Sequence, residues 1–210
     1  MKISTRIGDK GKSRLYSGRM LRKSSLVFEV LGSFDELNAA FGLCKSVVRD
    51  SRAPTFGRTD RENDPSKVHP SKAGQAGRVV TGRQERENNK EEFLKILEIL
   101  QTDIYRIMAI IGSDFKIPKE IREIDRKDVL ILEQFIEKFE SEGGDVGKFV
   151  MPGESEISAR LHLARTACRR AERSLVAYDN EVTLVFGGVP EFILQYVNRV
   201  SDLLFLMACF

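Results

Sequence analysis

Gly153-Glu154-Ser155-Glu156-Ile157-Ser158-Ala159-Arg160-Leu161-His162-Leu163-Ala164-Arg165-Thr166-Ala167-Cys168-Arg169-Arg170-Ala171-Glu172-Arg173 is the stretch that decides the fold. On a helix of about 3.6 residues per turn, Ile157, Leu161, Ala164, Cys168, Ala171 and Leu175 recur at alternating steps of four and three. They draw one apolar stripe. Arg165, Arg169 and Glu172 fall on the neighbouring stripe, with Arg173 at its edge. Guanidinium groups so close to a helix seam are costly to desolvate without an anionic partner. Two kinds of partner fit. One is a set of acids on other helices; the other is a polyanion such as a triphosphate, whose oxygens match the forked donors of arginine. Spacing alone does not choose between them.

The same rhythm recurs along the chain. Val30, Phe34, Leu37, Phe41, Cys44 and Val48 predict a first helix, and Phe93, Leu97, Leu100, Ile104, Ile107 and Ile111 a second. Val129, Leu132, Ile136 and Phe139 give a shorter third, and the arginine-bearing segment is the fourth. A fifth follows Pro190, a residue suited to a first helical turn, with Ile193, Tyr196, Val200, Leu203 and Met207 on one face. Alternating strand periodicity is scarce. Five such segments predict an all-α fold, a five-helix antiparallel bundle.

Residues 49–90 break the pattern. They hold three of the six prolines (Pro54, Pro65 and Pro70), several glycines and dense mixed charge. So few apolar residues cannot offset ordering entropy, which predicts a flexible, disordered insertion between helices one and two. Gly143-Gly144-Asp145-Val146-Gly147-Lys148 is a second flexible stretch. A chain of 210 residues suffices for one domain with one core. With 34 basic against 31 acidic residues the net charge is only +3, which argues against a general nucleic-acid binder. Any affinity for anions must be local. Cys44, Cys168 and Cys209 form no Cys-x-x-Cys pair and read as small core residues in a reducing compartment. The chain opens without a secretory signal, and its most apolar run, Leu203–Phe210, is too short to cross a bilayer. A cytoplasmic protein without membrane partners is the expectation.

Thr5-Arg6-Ile7-Gly8-Asp9-Lys10-Gly11-Lys12-Ser13 combines glycines, hydroxyls and cations. Glycines let backbone amides approach an anion, and the cations neutralise it. The Gly-Lys-Ser triplet is not a P-loop, because Arg6 stands where that motif needs glycine and no strand–loop–helix setting surrounds it. Read alone, the segment is equally a polar N-terminal tail.

Five motifs then occur in order: Thr5-Arg6-x-Gly8-Asp9-Lys10-Gly11; Gly32-Ser33-Phe34-Asp35-Glu36-Leu37-Asn38; Phe149-x-x-Pro152-Gly153; Leu161-His162-x-Ala164-Arg165-Thr166-x-x-Arg169-Arg170-Ala171-Glu172-Arg173; and Tyr196-Val197-Asn198-Arg199-Val200-Ser201-Asp202-Leu203-Leu204-Phe205. Together the chain resembles the PduO-type ATP:cob(I)alamin adenosyltransferases, throughout except for residues 49–90. The resemblance implies a homotrimer of five-helix bundles with active sites between subunits. It implies transfer of the 5′-deoxyadenosyl group of ATP to cob(I)alamin, with Mg2+ accompanying the nucleotide, giving adenosylcobalamin and triphosphate. A cob(II)alamin reductase and an adenosylcobalamin-dependent enzyme are the implied partners.

By the same resemblance, residues 1–24 form the ATP-binding loop, with Thr5, Arg6, Ile7, Gly8, Asp9, Lys10 and Ser13 in it and Lys23 as a further phosphate contact. Arg169, Arg170, Ala171, Glu172 and Arg173 line the nucleotide from the fourth helix, and Asn198 reaches it from the fifth. Asp35 and Arg165 match a pair that bridges subunits. Phe149 matches an aromatic that packs under the corrin and displaces its lower axial ligand. No protein metal ligands are implied. Ile7 stands where the family has threonine, Lys12 replaces a small or hydroxyl residue, Ser24-Ser25 replace an acidic pair, and Glu154 replaces a glycine.

Without the resemblance these residues have plainer readings. Phe149 is a core or loop anchor, Asp35 favours a helix N-terminus, and Asn198 pairs with Asp202 one turn on. His162 reads as a hydrogen-bonded structural histidine. Only two histidines exist, and neither completes the Glu-x-x-His pairs of a di-iron bundle. Two rival functions stand beside transfer: a non-catalytic trimeric carrier that delivers adenosylcobalamin or nucleotide, and a helical interaction scaffold.

Overall fold

The computed structural model describes residues 6–50, 82–143 and 150–210. The apolar stripes form five helices: α1 (Leu26–Arg49), α2 (Gly82–Gly112), α3 (Arg126–Gly143), α4 (Glu156–Phe186) and α5 (Glu191–Cys209). Every stripe position named above on α1, α2, α4 and α5 is buried, and on α3 only Ile136 is partly exposed. The fold is the expected all-α bundle. Residues 51–81 and 144–149 lie outside the described residues, and with them most of the insertion and Phe149.

Cross-helix pairs give the directions. Glu36 on α1 meets Arg170 on α4, while Asn38 accepts from Gln101 and Arg49 pairs with Glu98 on α2. Cys44 further along α1 lies by Arg160, earlier on α4; in each case one residue number rises as its partner's falls, so α1 is antiparallel to both. Ser158 Oγ donates to the Ala208 carbonyl, and Asn198 Nδ2 donates to Glu172, so α4 and α5 are antiparallel as well. Glu133 on α3 meets Arg199 on α5, and Phe139 meets Phe210, the residue after the end of α5. Those two helices run the same way, an exception inside an otherwise antiparallel arrangement.

Two features depart from the sequence reading. Helix α2 begins at Gly82, inside the stretch assigned to the insertion, because Gln, Glu, Arg and Lys hold a helix by intrinsic propensity without any apolar stripe. A hairpin also precedes the bundle: β1 (Lys12–Arg14) pairs antiparallel with β2 (Met20–Arg22), Ser13 opposite Leu21. Strands this short show no alternation to read. The hairpin is seated by buried Leu15, by the Ser17 amide donating to the Gly112 carbonyl at 3.0 Å, and by an Arg19–Asp114 ion pair.

One polar cluster lies within the apolar core. Arg106 on α2 pairs with Asp103 and with Asp128 at the start of α3, and donates to the backbone carbonyls of Arg122 and Glu123. Tyr196 on α5 donates to Asp103 at 2.8 Å. Burial and then the Asp103 carboxylate push the Tyr196 phenol well above its ordinary pKa, so it stays a donor. Burial alone would raise the Asp128 carboxyl, but hydrogen bonds from Arg106, Arg122 and the Asp125 amide outweigh it and hold the group below its usual value. Burial pushes the Cys44 thiol up to about 12 and the Cys168 thiol higher still, as the reading of core cysteines requires. Helix α5 is by length and composition apolar enough to cross a bilayer, yet Tyr196, Val200, Leu203 and Met207 are buried in the bundle.

Two stability outcomes follow from the cluster. Arg106→Leu should lower unfolding free energy in urea by about 3–5 kcal/mol, because Asp103 is left buried without its cation and Asp128 keeps only Arg122. The lowered Asp128 pKa contributes stability that is complete above its unfolded value of about 4 and is lost as pH falls further. Urea midpoints followed from neutral pH down to about 3 should therefore fall more steeply in the natural protein than in Asp128→Asn.

Candidate functional site

Helix α4 is set by its ends and by its seam. Ser155 Oγ accepts the Ser158 amide at 3.1 Å and caps the first turn; Gly187, with φ +82, closes the last through its own amide. Between them Leu161, Ala164, Cys168, Ala171 and Leu175 have no exposed surface. Burying that stripe leaves Arg169, Arg170 and Arg173 on the exposed flank and Arg165 partly buried beside it.

The two kinds of partner for these arginines can now be compared. Arg170 pairs with Glu36 on α1, and Arg173 donates to the Arg169 carbonyl of its own helix at 3.0 Å. The Arg169 guanidinium has no hydrogen bond or ion pair among the described residues. Arg165 stacks over the Phe205 ring at 5.8 Å, and its Nε is buried with no acceptor. Acids on other helices therefore account for Arg170 alone. Glu172 accepts from Asn198 Nδ2 at 3.1 Å, which brings the α4 and α5 residues together. Asn198 does not pair with Asp202. Ala171 is buried and supplies close helix spacing rather than a surface for a ligand.

The N-terminal segment forms a compact cationic loop. Ile7–Lys10 is a 3-10 turn entered through Arg6 at φ 59 and left through Gly11 at φ 69. The Lys23 amide donates to the Gly11 carbonyl at 2.8 Å, and its ammonium lies over Gly8, where an added Cβ would come within 2.9 Å of Nζ. A larger residue there would push the flexible end of Lys23 away from the loop. Asp9 and Lys10 are exposed, and Ser13 is half-buried on β1. Thr5 lies outside the described residues, as does Phe149.

No hydrogen bond or ion pair among the described residues joins this loop to Arg169–Arg173. Asp35 is exposed on α1 and makes no pair with Arg165. His162 departs from expectation: it is buried, yet neither ring nitrogen has a hydrogen-bond partner. Burial, then the Arg165 charge, lowers its pKa, so the ring is a neutral imidazole packed near Phe205. Glu36, Glu133 and Arg199 touch the site residues and were not singled out by periodicity, which reports burial within one helix and not pairing between two. Among the described residues no group of three His, Cys, Asp or Glu side chains converges on a metal position.

Comparison with known proteins meets this geometry at its motifs. The chain is 30% identical over 209 residues to corrinoid adenosyltransferase PduO of Salmonella typhimurium, covering 99% of this chain and 49% of that protein. It thus spans about half the length of that relative. It is 30% identical to the corrinoid adenosyltransferase of Bacillus subtilis, covering 99% of this chain and 85% of that one. The fold matches that of a variant PduO-type ATP:co(I)rrinoid adenosyltransferase from Lactobacillus reuteri complexed with ATP, with a TM-score of 0.68 at 22% identity, covering 99% of this chain and 92% of that one. The cobalamin adenosyltransferase family matches residues 3–67 and 72–210, which takes in the cationic loop, the α4 arginines and Asn198; the chain belongs to that family.

Proposed function

We propose that this protein transfers the 5′-deoxyadenosyl group of ATP to cob(I)alamin, as a cytoplasmic enzyme whose residues 1–210 make one domain and residues 1–24 its ATP loop. The observation that carries the reading is Arg169: an exposed guanidinium that makes no hydrogen bond or ion pair among the described residues, though its charge acts on Asp202, beside a Glu172–Asn198 pair and one residue before an Arg170 paired with Glu36. Two further variant structures of the Lactobacillus reuteri PduO-type ATP:corrinoid adenosyltransferase, of the same fold, are complexed with cobalamin and ATP, which fits the same substrates here.

The reaction asks little of side-chain acid–base chemistry. Cobalt(I) supplies an electron pair to the ribose C5′; the cobalt–carbon bond forms as the C5′–oxygen bond breaks, and triphosphate leaves with that bond's electrons. The protein must align the two and stabilise the departing charge. Arg169 and Arg173 from α4, with Lys10 and Lys23 from the loop, suit the phosphates; Gly8 lets the backbone approach them, and Thr5, Arg6, Ile7, Asp9 and Ser13 complete the loop. Arg170 and Glu172 with Asn198 frame the nucleoside. Phe149 is the proposed apolar wedge beneath the corrin. By the family resemblance magnesium accompanies the triphosphate, and no step is assigned to it.

A homotrimer with sites between subunits is part of the proposal. Among the described residues no hydrogen bond or ion pair joins the loop to the α4 cations, and neither Asp35 nor Arg165 makes an ion pair. Both facts suit a site that a second copy completes, with Asp35 of one copy against Arg165 of the next. A reductase that delivers cobalt(I) and an enzyme that consumes adenosylcobalamin are the implied neighbours.

Incubation of the purified protein with ATP and chemically reduced cobalamin should yield the adenosylcobalamin spectrum. Binding of both without transfer would establish the carrier instead, and a melting temperature raised by neither ATP nor cobalamin would leave only a scaffold. Arg169→Ala should lower kcat/KM for ATP by about 10- to 100-fold, matching a charge-assisted contact of about 1.5–3 kcal/mol, with helix content unchanged by circular dichroism. Asp35→Arg and Arg165→Asp should each shift the protein toward monomer in sedimentation, and the double variant should recover the trimer. A double variant that stays monomeric would remove the pairing.

A further inference from the structure

Asn198 and Glu172 sit on an exposed surface, where one hydrogen bond does not hold an amide in one plane. The structure shows a second anchor. Arg199 Nη1 donates to Asn198 Oδ1 at 2.9 Å while Asn198 Nδ2 donates to Glu172 Oε1 at 3.1 Å. The two ends of an asparagine amide are nearly alike in shape, so its orientation is decided by what faces each end. A carboxylate can only accept and a guanidinium can only donate. Oxygen toward Arg199 and nitrogen toward Glu172 is then the sole arrangement that satisfies both.

Arg199 is itself held. Its Nε donates to Glu133 Oε1 on α3 at 3.0 Å, and Asp202 lies 4.0 Å from its Nη1. The guanidinium thus reaches two groups from two different nitrogens, Glu133 from one and Asn198 from the other. Lysine carries a single point of donation and cannot span both. Glu133, Arg199, Asn198 and Glu172 form an unbroken chain of polar contacts from α3 through α5 to α4.

We propose that Arg199, braced by Glu133, is a positioning residue for the nucleotide site: it fixes the Asn198 amide so that the second N–H on Nδ2 is presented beside Glu172 to ATP. This rests on the reading of Asn198 and Glu172 as nucleotide contacts. Arg199 touches no substrate; it acts through Asn198. Removing it leaves Asn198 tethered at one end, and the free N–H samples many directions.

The test is a double-mutant cycle read in two ways, as the Kd for ATP by titration calorimetry and as KM and kcat in adenosylation. Arg199→Met, which keeps an apolar stem, should raise Kd and KM for ATP about tenfold and leave kcat within about twofold. Arg199→Lys should fail to restore affinity, and Glu133→Gln should raise Kd about threefold. In an Asn198→Ala background, Arg199→Met should add no further loss. Additive losses, full rescue by lysine or an unchanged Kd would each overturn the assignment. Should Arg199→Met lose its helical signal, the same cycle is run with Glu133→Gln and decides by the same criterion. Natural protein that binds ATP but forms no adenosylcobalamin would refute transfer while leaving the Kd cycle to judge Arg199. Natural protein that does not bind ATP would overturn both.

Discussion

A helix can turn one face to a core, and on α4 that face is taken by Leu161, Ala164, Cys168, Ala171 and Leu175. The small side chains in the middle let α1 and α5 approach closely from either side. Each residue advances the direction by about 100°, so packing that line fixes where Arg165, Arg169, Arg170 and Arg173 must point. None can rotate inward without desolvating a guanidinium that has no partner there. The cationic flank is therefore a consequence of core packing rather than an addition to it. A cavity opened along the seam would loosen the same helix that aims the arginines.

The second constraint is polar. Arg106 closes the distance between α2, the connection ahead of α3, and α3 itself by meeting Asp103, Asp128 and two backbone carbonyls. Such a buried cluster contributes little net stability compared with apolar packing, but it tolerates only one alignment of the elements it joins. Asp128 opens α3, and Glu133 lies little more than one turn further along it. The alignment of α3 is thus passed to Glu133, from Glu133 to Arg199, and from Arg199 to Asn198. Core electrostatics and site geometry meet on one short helix.

The helices were legible because burial imposes a period, and apolar residues at steps of three and four report it directly. What had no period was not legible. The first turns of α2 carry charged helix formers with no stripe, so their sequence looks like the linker before them. The hairpin strands at Lys12–Arg14 and Met20–Arg22 are too short to alternate. Pairs such as Arg170–Glu36 and Arg199–Glu133 depend on which helices become neighbours, a property of topology that no single helix pattern contains. His162 exposes another limit: its place on the buried face could be inferred, but its lack of a hydrogen-bond partner could not. Motif order named the candidate site residues; it did not show how they touch.

The distribution of unsatisfied groups bears on how such a site is completed. A buried Arg165 Nε without an acceptor is costly in an isolated chain, and Asp35 is an exposed carboxylate that makes no ion pair among the described residues. The loop holds Arg6, Lys10, Lys12 and Lys23 against Asp9, and among the described residues no ion pair joins it to an acid of α4 or α5. Cations on separate elements repel, so bringing the loop of one copy against α4 of another is unfavourable until an anion lies between them. A triphosphate supplies that anion, and its several charges reward convergence more than any single carboxylate could. Binding of nucleotide and closure of the proposed shared site would then stabilise each other, which by linkage makes affinity for ATP depend on assembly.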